Sequence, residues 1–169
     1  SSAEPSGREF VISRVLDAPR ETLWKVWTKK ECLRWWGPKG ASISVVALDL
    51  RPGGIFHYRM RMPDGQDMWG RWLIRQVVEP EKLVFVSSFS DEAGVLTRHP
   101  LHASWPLQVL STITFAELQE KSLLTVQWLP VNATELERKT FDEGHDSMQQ
   151  GWTGTLDRLA DYLSSYSTS

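Results

Sequence analysis

The hydrophobic period of this chain changes once, and that change constrains the fold more than any other feature. From Ser42 to Leu129 apolar and polar residues alternate in short runs, the period-two pattern of half-buried strands. Beyond Thr134 the spacing becomes three and four. Phe141, Met148, Trp152, Leu156, Leu159 and Leu163 then mark the stripe of one long amphipathic helix. Thr134-Glu135-Leu136-Glu137 has the form of a capping box and sets its start. Ahead of the strands, Phe10 to Leu16 reads as a further strand. Asp17-Ala18-Pro19 opens a short helix running to Trp27, with Asp17 or Ala18 near the cap and Pro19 in the first turn. A second short helix over Lys30 to Trp35 stops at Gly37-Pro38, because proline disfavours helix at the residue before it. The order is strand, two short helices, six strands and one long helix. Consecutive strands joined by short turns pair antiparallel, and a segregated helix must cover the apolar face, which makes the class α+β.

Composition narrows the function classes. The charge is −2, and the lysines and arginines are scattered, so the basic stripe that neutralises nucleic-acid phosphates is missing. No apolar run approaches the roughly 20 residues that span a bilayer. A single cysteine, Cys32, rules out an internal disulfide framework and suits a reducing, cytoplasmic setting. Residues 1–7 are small and polar and are expected to form a flexible tail, with one domain over 8–165. The outlier is tryptophan, nine in 169 residues, a load large enough to line a cavity as well as fill a core.

Six short segments occur in a familiar order: Phe10-Val11-Ile12-Ser13-Arg14, Asp17-Ala18-Pro19, Arg34-Trp35-Trp36-Gly37-Pro38, Leu50-Arg51-Pro52-Gly53-Gly54, Pro80-Glu81-Lys82-Leu83-Val84-Phe85 and Gly151-Trp152-Thr153-Gly154. Together they resemble the domain of homologues of the activator of Hsp90 ATPase, within the START and Bet v 1-like (SRPBCC) superfamily, from about Phe10 to Leu163. The resemblance implies a helix-grip fold: a curved seven-stranded antiparallel sheet wrapped around the long C-terminal helix, with two short helices closing one end. It implies less about activity. The superfamily holds lipid and hormone carriers, cyclases, sequestering proteins and a chaperone activator, and a shared fold does not select among them.

Strand register locates candidate cavity residues. If Asp64-Gly65 is a two-residue hairpin loop, Phe56 opposes Leu73, Tyr58 opposes Arg71 and Met60 opposes Trp69 on one face. That face is the more aromatic and is expected to be concave. His57, Arg59 and Arg61, opposite Trp72, Gly70 and Met68, take the other face. Arg71 beside Tyr58 would orient an anionic or carbonyl-bearing ligand, or else reach the rim to pair with Asp67 or a helix carboxylate. On the long helix, His145, Met148 and Trp152 lie on the apolar stripe. His145 reads either as a cavity base or as a hydrogen-bonded core histidine, while Asp142, Glu143 and Asp146 point elsewhere. Of Trp35 and Trp36, adjacent side chains pointing apart, one plugs the end of the grip. Trp36 is the candidate cavity wall. Gly144, Gly151 and Gly154 inside a helical pattern allow close approach by loop, strand or ligand, with close packing the simpler reading.

No catalytic constellation, phosphate loop or dinucleotide fingerprint is present, and no cofactor is expected. His99 and His102 have zinc-like spacing but lack two further ligands, so no metal site is expected. Cys32 has no local histidine to activate it. The reading is a binding module for a small, largely apolar ligand held by Trp36, Phe56, Tyr58, Met60, Trp69, Arg71, His145, Met148 and Trp152. The alternatives are a cyclase- or hydrolase-like enzyme in the same cavity, or a chaperone-regulating interaction protein acting through its surface. Exposed aromatics such as Trp72 or Trp105 would be the place for a homodimer contact.

Overall fold

Alternation along the strands decides which side chains meet. A computed structural model of the chain describes residues 9–29, 35, 40–97 and 104–166. Strand β1 (Phe10–Leu16) leads into helix α1 (Arg20–Thr28), and β2 (Ser42–Leu48), β3 (Ile55–Arg61), β4 (Asp67–Val78) and β5 (Lys82–Ser90) follow. A two-residue β6 (Leu96–Thr97), β7 (Val109–Leu118), β8 (Lys121–Pro130), α2 (Glu135–Glu143) and α3 (His145–Tyr166) complete the described elements. All the strands form one antiparallel sheet in the order β1-β8-β7-β5-β4-β3-β2, with β6 pairing the end of β5. This is the α+β class expected from the period change and the grip that the resemblance implies, with the short β6 added.

Two interruptions of register, between Val45 and Ala47 in β2 and between Ile74 and Gln76 in β4, each place an extra residue on one strand. Such bulges bend and twist a sheet, which suits it to wrapping a helix. The concave face carries Phe10, Ile12 and Leu16 from β1, Ile113 and Phe115 from β7, and Leu124 and Val126 from β8, all buried. Against them α3 buries Leu156, Leu159 and Leu163, each burial contributing roughly 1.5–3 kcal/mol. Arg14, on the inner row of β1, reaches α3 and donates to Asp157 Oδ1 at 2.7 Å.

At one end of this face α1 supplies Leu23, Trp24, Val26 and Trp27. Its cap is Pro19, with no side-chain cap bond, so Asp17 and Ala18 lie just outside the helix. Trp35 donates its indole N–H to Val26 O and meets the Trp27 ring at 4.8 Å. Trp35 thus helps plug the grip. Trp36, Cys32, His99, His102 and most of the expected second short helix lie outside the described residues.

The β3–β4 hairpin corrects the expected register. Gly65 N donates to Met62 O and Met62 N to Gln66 O, with Gly65 at φ +90°. The loop is therefore three residues, Pro63-Asp64-Gly65, a turn closed by a left-handed glycine bulge instead of a two-residue turn. One extra residue slips the pairing by one: Phe56 opposes Trp72, Tyr58 opposes Gly70 and Met60 opposes Met68. Trp69 and Arg71 consequently leave the concave face and stand with Arg59 and His57 on the convex one.

The long helix is also corrected. The capping box at Thr134 is complete, with Glu137 N donating to Thr134 Oγ1 and Thr134 N donating to Glu137 Oε1. The helix breaks at Gly144 into α2 and α3. A Cβ at position 144 would lie 3.3 Å from both the Trp105 ring and Thr140 O, so glycine is what lets Trp105 approach. Among the described residues no helix is long and apolar enough to cross a membrane.

Candidate functional site

At the end of the sheet away from α1, the concave face and α3 do not close on each other. Tyr58 lies flat across Gly70, where a Cβ would sit 2.5 Å from the phenol oxygen. Phe89 faces the same glycine from β5. This aromatic cover over a strand glycine leaves a shallow floor where a larger residue at 70 would stand up into the space. Trp128 at the end of β8 forms the side wall and meets Trp152 of α3 edge-on at 5.6 Å.

Three adjoining clefts share these walls. The first, about 290 Å³, is lined by Tyr58, Met60, Met62, Met68, Phe89, Trp128 and, from α3, Met148, Gly151, Trp152 and Thr155. All four methionines of the chain are in that set. The second, about 520 Å³, lies at the α2–α3 junction between Phe89, Trp105, Trp128, Thr140, Glu143, Gly144, Ser147 and Met148. The third, about 110 Å³, runs from Tyr58 past Ser87 to Trp105 and Val109. The two larger volumes are on the scale of small-molecule sites.

Three hydroxyls along these walls are engaged within the protein, and the Trp128 indole N–H is buried without a partner. Thr155 donates its hydroxyl to Gly151 O at 3.0 Å, and Ser87 Oγ donates to Val109 O at 3.4 Å. Thr140 Oγ1 lies 2.9 Å from Ser104 Oγ, tying the segment before β7 to α2. Among the described lining residues the only charged side chain is Glu143. Its facing departs from the expectation that the helix carboxylates point away. That expectation carried one helical phase through Gly144, where the helix in fact breaks. A gap at Gly151 completes the site: nothing lies within 4 Å of where its Cβ would be. Close packing is therefore not what the glycine serves; it opens onto the cleft.

Of the residues chosen from sequence, Tyr58, Met60, Met148 and Trp152 line the first cleft. Phe56 lies one layer beneath, fully buried and stacked under Tyr58 at 5.0 Å. His145 is held between the rings of Phe10 and Phe141, at 5.6 and 5.4 Å, and is not among the side chains lining these clefts. Arg71 pairs with neither Asp67 nor a helix carboxylate. It donates to Gly94 O at 3.1 Å, under the loop that also covers His57, whose Nε2 is 3.3 Å from Asp91 O. Asp67 instead holds Arg61. Trp72 is buried and stacked on Phe85 at 4.0 Å, so it offers no surface for a dimer.

Residues 17–164 match the model of the family described as Activator of Hsp90 ATPase homolog 1-like protein. The chain belongs to that family. No curated protein matches it. Among solved structures, a protein of Mycobacterium smegmatis is 28% identical, with 92% of this chain and 90% of that chain covered and a TM-score of 0.72. A protein of Arthrobacter aurescens is 24% identical over 93% of this chain and 86% of its own, with a TM-score of 0.77. A protein of Nitrosomonas europaea is 23% identical over 99% and 100%, at 0.75. The last two likenesses show the fold alone. Membership in the homolog 1-like family thus accounts for the frame, and the chemistry of this member has to come from its own side chains. Among the described residues no three histidine, cysteine, aspartate or glutamate side chains gather as a metal site would require. The described walls can desolvate an apolar body and stack against it.

Proposed function

We propose that this protein binds a small, largely apolar molecule in the cleft between β3, β4, β5, β8 and α3, without a fixed polar anchor at its inner end. The observation that carries the reading is the convergence of Met60, Met62, Met68 and Met148 with Tyr58, Phe89, Trp128 and Trp152 around open space. Thioether side chains are unbranched and polarizable, so they adapt to ligands of differing shape. Removing apolar ligand surface from water contributes about 25 cal/mol per Å² before the cost of immobilisation.

Native mass spectrometry of protein purified from its own cells, followed by extraction of whatever is bound, tests this. A discrete small molecule that is retained by the native protein and lost from Gly151→Phe supports the reading. Protein that emerges empty and whose tryptophan fluorescence does not respond to 1-decanol contradicts it.

A second reading, an interaction protein acting on a chaperone, draws on the family description and on the basic convex face. Arg59 there donates to Ser44 Oγ at 3.3 Å and Arg61 pairs with Asp67. Charge reversal of Arg59 and Arg61 separates the two: loss of function with the cleft still occupied favours the surface.

A further inference from the structure

The second cleft differs in kind from the first. Its walls bring three aromatic rings, Phe89, Trp105 and Trp128, to the same space as the Glu143 carboxylate. Glu143 is exposed and makes no ion pair or hydrogen bond among the described residues. Lys139, one turn earlier on α2, does not engage it. No lysine, arginine or histidine is among the described residues lining any of the three clefts. The other polar side chains in the second cleft are Thr140, already held by Ser104 and Leu136 O, and Ser147.

We infer that the second cleft takes the cationic head of an amphiphile, a protonated or quaternary amine, while the methionine cleft beside it holds the apolar tail. The inference rests on the apolar-ligand reading above and specifies the ligand's charge. A carboxylate or phosphate head placed there would lose its hydration, with no cation among the described lining residues to replace it and one like charge beside it. An ammonium head meets the opposite situation. Aromatic faces carry negative quadrupole density that attracts a cation within about 6 Å of the ring, most strongly for tryptophan, and a free carboxylate adds to it. Phe89, Trp128 and Met148 line both clefts, so a head in one and a tail in the other occupy adjoining space. Of the charges nearest to Glu143 in sequence, Asp146 across the helix break adds to its field, while Lys139 one turn earlier opposes it. The chain as a whole carries −2.

The test titrates the whole chain, by tryptophan fluorescence below micelle formation, with three probes of equal chain length: decyltrimethylammonium, 1-decanol and decanoate. The ammonium is expected to bind about tenfold tighter than decanoate, the gain that cation–π and carboxylate contacts of this kind give. Glu143→Gln, an exposed position that leaves the core intact, should shrink that advantage several-fold without moving the decanol affinity. Trp105→Leu, checked for folding by circular dichroism, should shrink it in the same sense. Decanoate binding as tightly as the ammonium would overturn the inference, as would an ammonium affinity unchanged in both variants. If decanol binds while no head preference appears, the charge assignment fails and the apolar site stands. If none of the three binds, both fall together.

Discussion

Tryptophans at the two ends of the same concave face do opposite things. Near α1, Trp24, Trp27, Trp35 and Trp72 interlock with Phe85 and Phe115 at ring distances of 4.0 to 6.1 Å, and none is more than 4% exposed. At the far end Trp105, Trp128 and Trp152 stand around clefts. The partners make the difference. Where the indoles meet phenyl rings and the branched side chains of Leu23, Val26 and Ile74, the space fills at the density of an organic crystal. Where they meet methionines and glycines, which have either many shapes or no side chain, the space stays open. A large aromatic load is thus no measure of a solid core. What surrounds each ring decides whether it fills or lines.

That contrast can be broken from either side. Trp72→Ala at the packed end should cost about 3–5 kcal/mol in chemical denaturation, since the stack on Phe85 cannot collapse to fill the hole. Met62→Ala at the open end, half-buried against a cleft, should cost less than about 1 kcal/mol in the same assay. Equal losses would mean that the open end is as tightly packed as the other. Gly151→Phe should fill the first cleft and weaken 1-decanol binding by on the order of tenfold or more, with folding retained. Gly151→Ala should sharpen the point, raising stability by about 0.5–1 kcal/mol because a helical glycine is replaced where space is free. A destabilised alanine variant would mean the helix is tighter there than it looks.

The smallest effect belongs to the convex face. The hydrogen bond from Arg61 holds the Asp67 carboxyl below the usual carboxylate range. A depressed folded value contributes stability above the unfolded value of about 3.9, and that contribution is lost as pH falls through the folded value. Both groups lie at the surface, where solvent screens the pair, so Asp67→Asn should shift urea midpoints little at pH 7 and not at all in acid.

Much of the frame was legible because alternation and helical period are local. β1 begins and ends where its patterned run predicts, and the capping box starts α2 where its four residues predict. Arg71 and Trp69 were misplaced for a reason that no pattern in β3 or β4 reveals. Asp64-Gly65 serves a two-residue loop and a three-residue bulged loop equally well, and the two differ by one step of register. Glu143 was misread because a glycine is tolerated inside a helix, so nothing at Gly144 announces that the phase resets there. Trp128 could have been found by counting alternate residues from Leu124 through Val126, whereas Phe89 needed its neighbour: only the pairing with Gly70 shows what it overlooks.

Strand β1 pairs with β8, so Phe10 and Trp128 meet although nearly all of the sheet lies between them in sequence. During synthesis β1 leaves the ribosome long before β8, and contacts so distant in sequence slow folding. Until they form, Trp128 stands on an unpaired edge. The side wall of the cleft is therefore backed by the pairing of the two strands farthest apart in sequence, β1 and β8.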